Sequence, residues 1–192
     1  MCIFIQSLVS RLPMVKAVRR ELANYPRRGK IIDIGCGTGD NTALLVSGAD
    51  RVVGIDIDQA SIIKAAERYP GVDFYPVDAS RTEFADGYFD TAFMVMSLHE
   101  AACIGDVIKE ACRIAGEVVI IDYSRIQYGC RKKLVEFIEK EKYERFARLN
   151  LLTEFAGCGF SLKEGRRIHP SLYIYFFVRG KAGRKTGVVS LK

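Results

Sequence analysis

The sequence predicts one doubly wound α/β domain built on a seven-stranded, mostly parallel sheet that closes with an antiparallel C-terminal hairpin. Strand-like apolar runs alternate along the chain with segments of helical periodicity, a pattern typical of such sheets. A glycine-rich turn follows the first apolar run, and acidic or polar residues follow the next ones. With 192 residues, of which 49% are hydrophobic, the chain suffices for one sizeable core and leaves little room for a second domain.

The first predicted element is a helix within residues 1–28. Its apolar residues recur at helical spacing, at Leu8, Leu12, Val15, Val18 and Leu22. We expect this helix to lie over the crevice at the carboxyl ends of the strands. The sheet domain is predicted to span residues 29–180, and the basic, glycine-containing segment 181–192 is predicted to be a flexible tail.

The first predicted strand, 31–34, runs through a glycine-rich loop into a segment predicted to be an amphipathic helix. The three glycines of residues 35–39 allow positive φ and a close approach to a ligand, and the N–H groups of the following helix offer donors. A nucleotide-like cofactor is the expected occupant. The dinucleotide fingerprint requires a glycine at position 40, where Asp40 stands. The carboxylate of Asp33 suits a ligand with an amino group better than a pyrophosphate.

Polar residues also follow the next three predicted strands. Asp56 stands 21 residues after Gly35, the spacing at which an acid accepts hydrogen bonds from ribose hydroxyls. Asp78 follows the third strand-like run, and the segment 97–100, Ser-Leu-His-Glu, follows the fourth. Because the carboxyl ends of parallel strands meet at one crevice, we expect these side chains to lie close together.

Capping and periodicity predict the later elements. Asp58 caps a helix that ends near Tyr69, before Pro70 and Gly71. The next helix has a buried stripe of Ile104, Val107, Ile108 and Ala111. Strand five is predicted at 117–122, a charged helical segment at 126–156 with Gly157 as its stop, and a closing pair of strands at 160–168 and 171–179 around His169-Pro170.

Taken together, these motifs resemble the class I S-adenosylmethionine-dependent methyltransferases, in the small-molecule branch similar to the quinone-biosynthesis C-methyltransferases. The resemblance runs from about Gly29 to Lys181. It rests on the D-x-G-x-G-x-G form of Asp33 to Gly39, Gly54-Ile55-Asp56, Asp78-Ala79, Phe89-Asp90, and the segment Ile108 to Arg113. It implies a Rossmann-like fold, S-adenosylmethionine as cofactor with S-adenosylhomocysteine as product, and methyl transfer to a small-molecule acceptor.

The resemblance also implies the cofactor-binding residues. They are Asp33, Gly35, Cys36, Gly37, Asp56, Ile57, Asp78, Ala79 and Ser97. In this assignment Asp33 and the backbone of residues 35–37 hold the methionine part, and Asp56 binds the ribose. Ile57 covers one adenine face, and Asp78 binds the adenine amino group.

His99 is the predicted catalytic residue, with a plainer alternative. Methyl transfer depends mainly on positioning, and a general base is needed only if the acceptor loses a proton. His99 has a suitable intrinsic pKa and follows the fourth strand, although such histidines often only bind a neighbouring backbone group. The segment 97–100 lacks the Asn/Asp-Pro-Pro-aromatic element of nucleobase amino-methylating enzymes, which disfavours exocyclic-amine methylation of DNA.

The net charge of +6 is unevenly distributed. Residues 1–30 carry seven Lys or Arg against Glu21, and residues 179–192 carry five with no acid. The interval 31–178 holds 17 basic and 22 acidic residues, a net of −5. This distribution argues against a broad phosphate-binding face over the site, although the basic ends leave an RNA methyltransferase as an alternative.

The cysteines and the apolar runs limit the remaining classes. The six cysteines form no C-x-x-C pair and have no histidine at ligand spacing, so we expect a reduced cytoplasmic protein without a metal site. The longest apolar run, 172–178, has the length of a strand, so no membrane span is expected. The missing glycine at position 40 argues against a nicotinamide-dependent oxidoreductase. A non-catalytic S-adenosylmethionine-binding protein that acts through a partner is the other alternative.

Overall fold

The computed structural model describes residues 12–26, 28–123, 146 and 148–180. They form one seven-stranded sheet in the order β3-β2-β1-β4-β5-β7-β6. The strands are β1 Lys30–Ile34, β2 Arg51–Asp56, β3 Asp73–Pro76, β4 Phe89–Val95, β5 Ala115–Tyr123, β6 Phe160–His169 and β7 Leu172–Arg179. The α-helices are α1 Pro13–Asn24, α2 Gln59–Arg68, α3 Ile104–Ile114 and α4 Leu151–Gly157. The predicted fold class is confirmed.

The strand order places a crevice beside β1. Strands β1 to β5 pair in parallel, and β7 pairs antiparallel with both β5 and β6. The chain runs outward from β1 through β2 to β3 and then returns to the other side of β1 with β4. At such a switch point the loops leaving the two central strands diverge, and a ligand can enter between them.

Two apolar clusters cover the two faces of the sheet. Within β1, Ile32 and Ile34 belong to one cluster and Ile31 to the other, as the two-residue period of a strand requires. Helices α3 and α4 pack on the first cluster, and α1 packs on the second. Both faces of the central strands are therefore buried, which accounts for their nearly continuous apolar sequences.

Several predicted helix features are confirmed. The side chain of Asp58 accepts hydrogen bonds from the backbone N–H groups of Ala60 and Ser61, as an N-cap does. Helix α2 ends at Arg68, next to the predicted end at Tyr69. All four residues of the predicted stripe in α3 are buried. Helix α4 ends at Gly157, as predicted.

The amphipathic helix predicted after the glycine loop is wrong. That segment contains only a short 3₁₀ helix, Thr42–Leu45. Gly39 and Gly48 have φ of +78° and +88°, which no right-handed helix accommodates. Only residues 40–47 lie between them, so the chain turns directly back toward β2.

Four further expectations concern the two ends of the chain, the segment after β5 and the hairpin turn. Helix α1 is held on its face by a 2.6 Å ion pair between Glu21 and Arg166 of β6. Its predicted position over the crevice stays a prediction, because residues 1–11 lie outside the described residues. The tail 181–192 and residues 126–145 and 147 of the predicted helical segment lie there too, and the described residues Leu149 and Asn150 are not helical, so that α4 begins separately at Leu151. In the hairpin, the turn falls at Pro170 and Ser171, one position later than expected.

Candidate active site

A cavity of 580 Å³ opens at the carboxyl ends of β1, β2 and β4. Its wall is mostly apolar and contains three carboxylates, those of Asp56, Asp78 and Glu100. The lining residues are Ile34, Gly35, Asp56, Ile57, Val77, Asp78, Ala79, Ser80, Met94, Met96, Ser97, Leu98, Glu100, Ala101, Ala102, Cys103 and Val107. The structure thus brings predicted residues from four separate segments to one cavity wall. Four others, Asp33, Cys36, Gly37 and His99, are not part of that wall.

The glycine loop forms one corner of the cavity. Gly35 has φ +74°, and a Cβ there would lie 2.5 Å from Cβ of Ser97. The N–H groups of Gly35 and Cys36 both donate to the Ile55 carbonyl, at 2.8 and 3.0 Å. These two bonds tie the loop to β2. A ligand meets here a close backbone surface without side chains.

Asp56 ends β2 with both carboxylate oxygens held toward the loop. Oδ2 accepts from the Gly37 N–H at 2.8 Å, and Oδ1 accepts from the Asp58 N–H at 2.9 Å. Each oxygen can accept a further hydrogen bond, so the carboxylate is oriented and still able to bind a pair of hydroxyls. Ile57 lies beside it on the cavity wall with 77% of its surface exposed. An aromatic ring lying on this side chain would remove that apolar surface from water.

Asp33 is a buried carboxylate with one unsatisfied oxygen. Oδ2 accepts from the Thr42 hydroxyl at 2.6 Å, whereas Oδ1 has no hydrogen-bond partner among the described residues. Burial raises the pKa of Asp33 to about 6; the Thr42 bond opposes that rise, and the nearby charge of Asp56 adds to it. A buried, unpaired carboxylate oxygen is costly, and a cationic donor would remove the cost. This arrangement fits an ammonium group.

The loop after β3 supplies a third side of the cavity. Asp78 Oδ1 accepts from the Ser80 N–H at 2.8 Å, and this backbone bond is the main cause of the lowered pKa of Asp78. Ala79 and Ser80 line the cavity next to it. The predicted assignment of Asp78 and Ala79 to the cavity is therefore geometrically consistent.

Sequence reasoning missed the residue that holds this loop in place. Glu110 of α3 is nearly buried, and its Oε1 accepts from the Thr82 N–H at 2.7 Å and the Thr82 hydroxyl at 2.6 Å. Arg113 donates to both oxygens of Glu110, at 2.9 and 2.7 Å. These bonds from Arg113 and then Thr82 lower the pKa of Glu110 to about 2 against the opposing effect of burial. In the sequence, Glu110 is only an acid three residues before Arg113 on a predicted helix. That spacing does not indicate a contact with Thr82, which lies 28 positions earlier in the chain.

The end of β4 forms the side of the cavity facing the glycine loop. The Ser97 hydroxyl donates to the Ile34 carbonyl at 2.7 Å and so joins the ends of β4 and β1. The preceding residue, Met96, lines the cavity with φ +55°. It is the one non-glycine residue with positive φ in the described part of the chain. Such conformations are costly for residues with a Cβ and cluster at functional sites.

His99 lies behind the cavity wall, between two carboxylates. Its side chain is nearly buried, and Nδ1 lies 2.8 Å from Oδ1 of Asp122. Its Nε2 lies 3.4 Å from Oε1 of Glu100, which is on the wall. The Tyr123 ring packs edge-on against the imidazole, with centroids 4.8 Å apart. The sequence analysis did not predict Asp122 as a site residue. Its position as an acid near the end of the fifth parallel strand could have indicated this, as it did for Asp56 and Asp78.

No described group of three or more His, Cys, Asp or Glu side chains is arranged to hold a metal ion. Cys36, Cys103, Cys112 and Cys158 are free thiols. Burial is the main cause of the raised pKa of Cys36, followed by the charges of Asp33 and Asp56. In the part of the chain that the structure covers, no helix has the length and apolar character needed to cross a bilayer.

Comparisons with known proteins find similarity to methyltransferases. Residues 31–117 match the family model described as a methyltransferase domain. The 2-phytyl-1,4-naphtoquinone methyltransferase of Thermosynechococcus vestitus is 32% identical over 111 residues, which are 53% of this chain and 49% of that protein. The trans-aconitate 2-methyltransferase of Rhizobium etli is 40% identical over 68 residues, 33% of this chain and 27% of that protein.

Among solved structures, a SAM-dependent methyltransferase from Aquifex aeolicus superposes with a TM-score of 0.66 at 18% identity. The match covers 92% of this chain and 97% of that one. At this identity the likeness establishes the fold. The chain spans about half the length, or less, of the curated relatives it matches.

Proposed function

We propose that this protein transfers a methyl group from S-adenosylmethionine to a small-molecule acceptor, a proposal that the match of residues 31–117 to the methyltransferase-domain model supports. One observation carries the cofactor assignment. An oriented carboxylate, Asp56, and a buried carboxylate with an unsatisfied oxygen, Asp33, stand on either side of a glycine loop that a ligand can approach closely. A nucleoside with a cationic amino acid attached has the matching chemistry.

The residues fit this cofactor part by part. Asp56 would accept from both ribose hydroxyls while Gly37 and Asp58 hold its carboxylate in place. Asp33 would bind the ammonium group through Oδ1, and Cys36 lies buried beneath this part of the loop. Ile57 would cover one adenine face, and Asp78 with Ala79 would bind the adenine edge.

When bound, S-adenosylmethionine supplies an electrophilic methyl group on a positively charged sulfur. The protein's own contribution is to orient that group and to stabilise its charge. The described cavity wall contains carboxylates and no Lys or Arg, so its electrostatic potential favours a cationic ligand. Ser97 sets the spacing between the ends of β1 and β4, and His99 with Glu100 stands next to it as the group able to take a proton.

The acceptor class is proposed from the wall and the relatives. Apolar side chains such as Met94, Met96 and Leu98 make most of the described lining, which suits an organic molecule of modest polarity. Two relatives are named for small molecules, a naphthoquinone and trans-aconitate. The acidic interval 31–178 disfavours a polyanion over the site. An RNA acceptor held by the basic ends is the second candidate, because those ends carry all of the excess positive charge.

We also propose a cytoplasmic location, for which the free thiols of the described cysteines are the support. Labelling the protein in cells with a thiol reagent before and after reduction tests this. Cysteines that become reactive only after reduction would contradict it.

Two measurements test the function. Calorimetry should show binding of S-adenosylhomocysteine and none of NAD, because the site has no phosphate-binding glycine at position 40. The protein is then incubated with methyl-labelled S-adenosylmethionine and either a metabolite extract or intact RNA, with the same RNA after ribonuclease treatment as the control. Label in a small molecule supports the proposal, and label confined to RNA favours the second candidate. Cofactor binding without label transfer to any acceptor would favour the non-catalytic alternative.

A further inference from the structure

The least expected feature of the site is a row of three ionisable side chains, of which His99 and Asp122 are buried and Glu100 is exposed. Asp122 is fully buried at the end of β5, His99 is nearly buried beside it, and Glu100 reaches the cavity wall. The two histidine nitrogens face opposite carboxylates, at 2.8 Å for Nδ1 and 3.4 Å for Nε2. These three side chains therefore connect the interior of the sheet with the cavity in which we propose that methyl transfer takes place.

Asp122 is unusually well fixed for this role. Its Oδ1 accepts from the Tyr123 N–H at 2.8 Å, and its Oδ2 accepts from the His99 N–H at 3.2 Å. Both oxygens are thus held, and Oδ1 lies 2.8 Å from Nδ1 of the imidazole, close enough to pair with it after a small rotation of the ring. Removing a carboxylate completely from water is costly unless it is well paired. Among the residues that the structure describes, this carboxylate has polar contacts with His99 and Tyr123.

We infer that Asp122 is a positioning residue that keeps a hydrogen on Nδ1 of His99 and directs Nε2 toward Glu100, so that the three side chains form a proton path from the cavity. A carboxylate at one ring nitrogen selects the tautomer with its hydrogen on that nitrogen. Nε2 is then the nitrogen that can take up a proton, and Glu100 is the group between it and the cavity. This inference rests on the proposed function.

The path has a consequence for the acceptor. Its nucleophilic atom must carry a hydrogen, as a hydroxyl oxygen, an acidic carbon or the nitrogen of a neutral N–H amine does. In the transfer, the electron pair of the acceptor atom forms the bond to the methyl carbon, and the pair of the broken carbon–sulfur bond remains on sulfur. The hydrogen of the acceptor atom leaves as a proton to Glu100 and passes to Nε2 of His99. An acceptor without such a hydrogen would make the path superfluous.

A plainer role for Asp122 would be to tie the end of β4 to β5 through the His99 backbone. The two roles differ in what they predict for the imidazole. The protein has two histidines, so nitrogen NMR of the imidazole side chains gives only two sets of signals to assign. Nδ1 of His169 accepts from the Ser171 N–H at 3.2 Å, so His169 carries its hydrogen on Nε2 and serves as an internal reference of the opposite tautomer.

The experiment uses full-length protein labelled with nitrogen-15 in its imidazoles at about pH 8.5, where an unperturbed histidine is neutral. His99→Gln assigns the signals by removing one set. We expect a hydrogen on Nδ1 of His99, slow to exchange with solvent, and none on Nδ1 of His169. Absence of a hydrogen on Nδ1 of His99 in the wild type would overturn the inference without any variant being needed.

Two variants separate positioning from structure. In Asp122→Asn the slowly exchanging Nδ1 hydrogen should be lost, while S-adenosylhomocysteine binds within about threefold of wild type because Asp122 is not on the cavity wall. Glu117→Gln is the matched control, since Glu117 lies on the same strand at its other end, where it accepts from the Tyr25 hydroxyl at 2.6 Å. The control should leave the His99 signal unchanged. An unchanged His99 signal in Asp122→Asn would overturn the inference.

Activity gives an independent test once label transfer has identified an acceptor. We expect Asp122→Asn to lower kcat by roughly 10²–10⁴ with little change in KM. A product methylated at an atom that carried no hydrogen, such as a thioether sulfur, would overturn the inference even if methyl transfer itself is efficient. If no acceptor is found, the proposed function fails, and the NMR result still decides whether Asp122 sets the tautomer.

Discussion

Gly35 and Ser97 approach so closely that no side-chain atom fits between them: a Cβ on Gly35 would lie 2.5 Å from the Ser97 Cβ. Ser97 also donates its hydroxyl hydrogen to the carbonyl of Ile34, the residue before Gly35. This contact sets the spacing between the ends of β1 and β4, where the cavity opens. The glycine is required here both by its positive φ and by the side chain opposite it.

Two glycine substitutions should therefore have unequal effects. The Cβ that Gly37→Ala adds has no atom within 4 Å. We therefore expect the free energy of unfolding to fall only by the cost of a left-handed backbone at a residue with a Cβ, about 1–2 kcal/mol. Gly35→Ala adds a steric collision, for a total of roughly 3–5 kcal/mol. Urea unfolding measures both. Adding Ser97→Gly to Gly35→Ala should recover part of the loss, and equal effects of the two alanines would contradict the account.

Asp33 should make stability depend on pH in an unusual direction. Its native pKa of about 6 lies above the ordinary 3.8, so between these values the folded protein holds a proton that the unfolded chain has released. The free energy of unfolding should then fall as pH rises through this window, by about 3 kcal/mol. Asp33→Asn keeps the shape of the side chain and removes the ionisation. Urea unfolding from pH 4 to 7 should show the fall in wild type relative to the variant, and parallel curves would refute the assignment.

Glu110 should stabilise the loop that carries Asp78, although it does not touch the cavity. Glu110→Gln weakens its contacts with Thr82 and Arg113, and we expect a loss of roughly 1.5–3 kcal/mol in unfolding free energy together with weaker cofactor binding. Asp106→Asn is the matched control on the same helix, because its 3.0 Å pair with Lys109 is solvent-exposed. The control should change stability by less than about 0.5 kcal/mol. Equal losses in the two variants would argue against a specific clamp.

The basic tail should be dispensable for cofactor binding. Deleting residues 181–192 removes three of the chain's lysines and one arginine but no segment with apolar periodicity. We expect an unchanged melting temperature and S-adenosylhomocysteine affinity. The same pair of proteins should be compared for RNA binding at two salt concentrations. A steeply salt-dependent affinity lost with the tail would favour the RNA acceptor.

The sequence predicted those parts of the fold that depend on local patterns. Apolar runs located the strands, Asp58 located the start of α2, and the α3 stripe was buried as expected. Acids at strand ends located Asp56 and Asp78 on the cavity wall, because parallel strands bring their carboxyl ends together. These signals need only the residue types and their spacing.

The contacts that the sequence did not reveal are long-range or conformational. The pairing of His99 with Asp122 depends on β4 and β5 being neighbours in register. The positive φ of Met96 has no sequence signature, since methionine gives no reason to expect it. The helix after the glycine loop was mispredicted because its apolar residues suit a helix, whereas Gly39 and Gly48 restrict it to a single turn.

The central claim is that the cavity beside the glycine loop binds S-adenosylmethionine through Asp56, and calorimetry with S-adenosylhomocysteine tests it most directly. Wild type should bind, and Asp56→Ala should bind more weakly by about 1.5–3 kcal/mol, since two buried hydroxyls lose their acceptor. Asp73→Asn, which alters an exposed carboxylate paired with Arg51 at 2.7 Å, should bind like wild type. Unchanged affinity in a folded Asp56→Ala protein, or no binding by wild type, would contradict the claim.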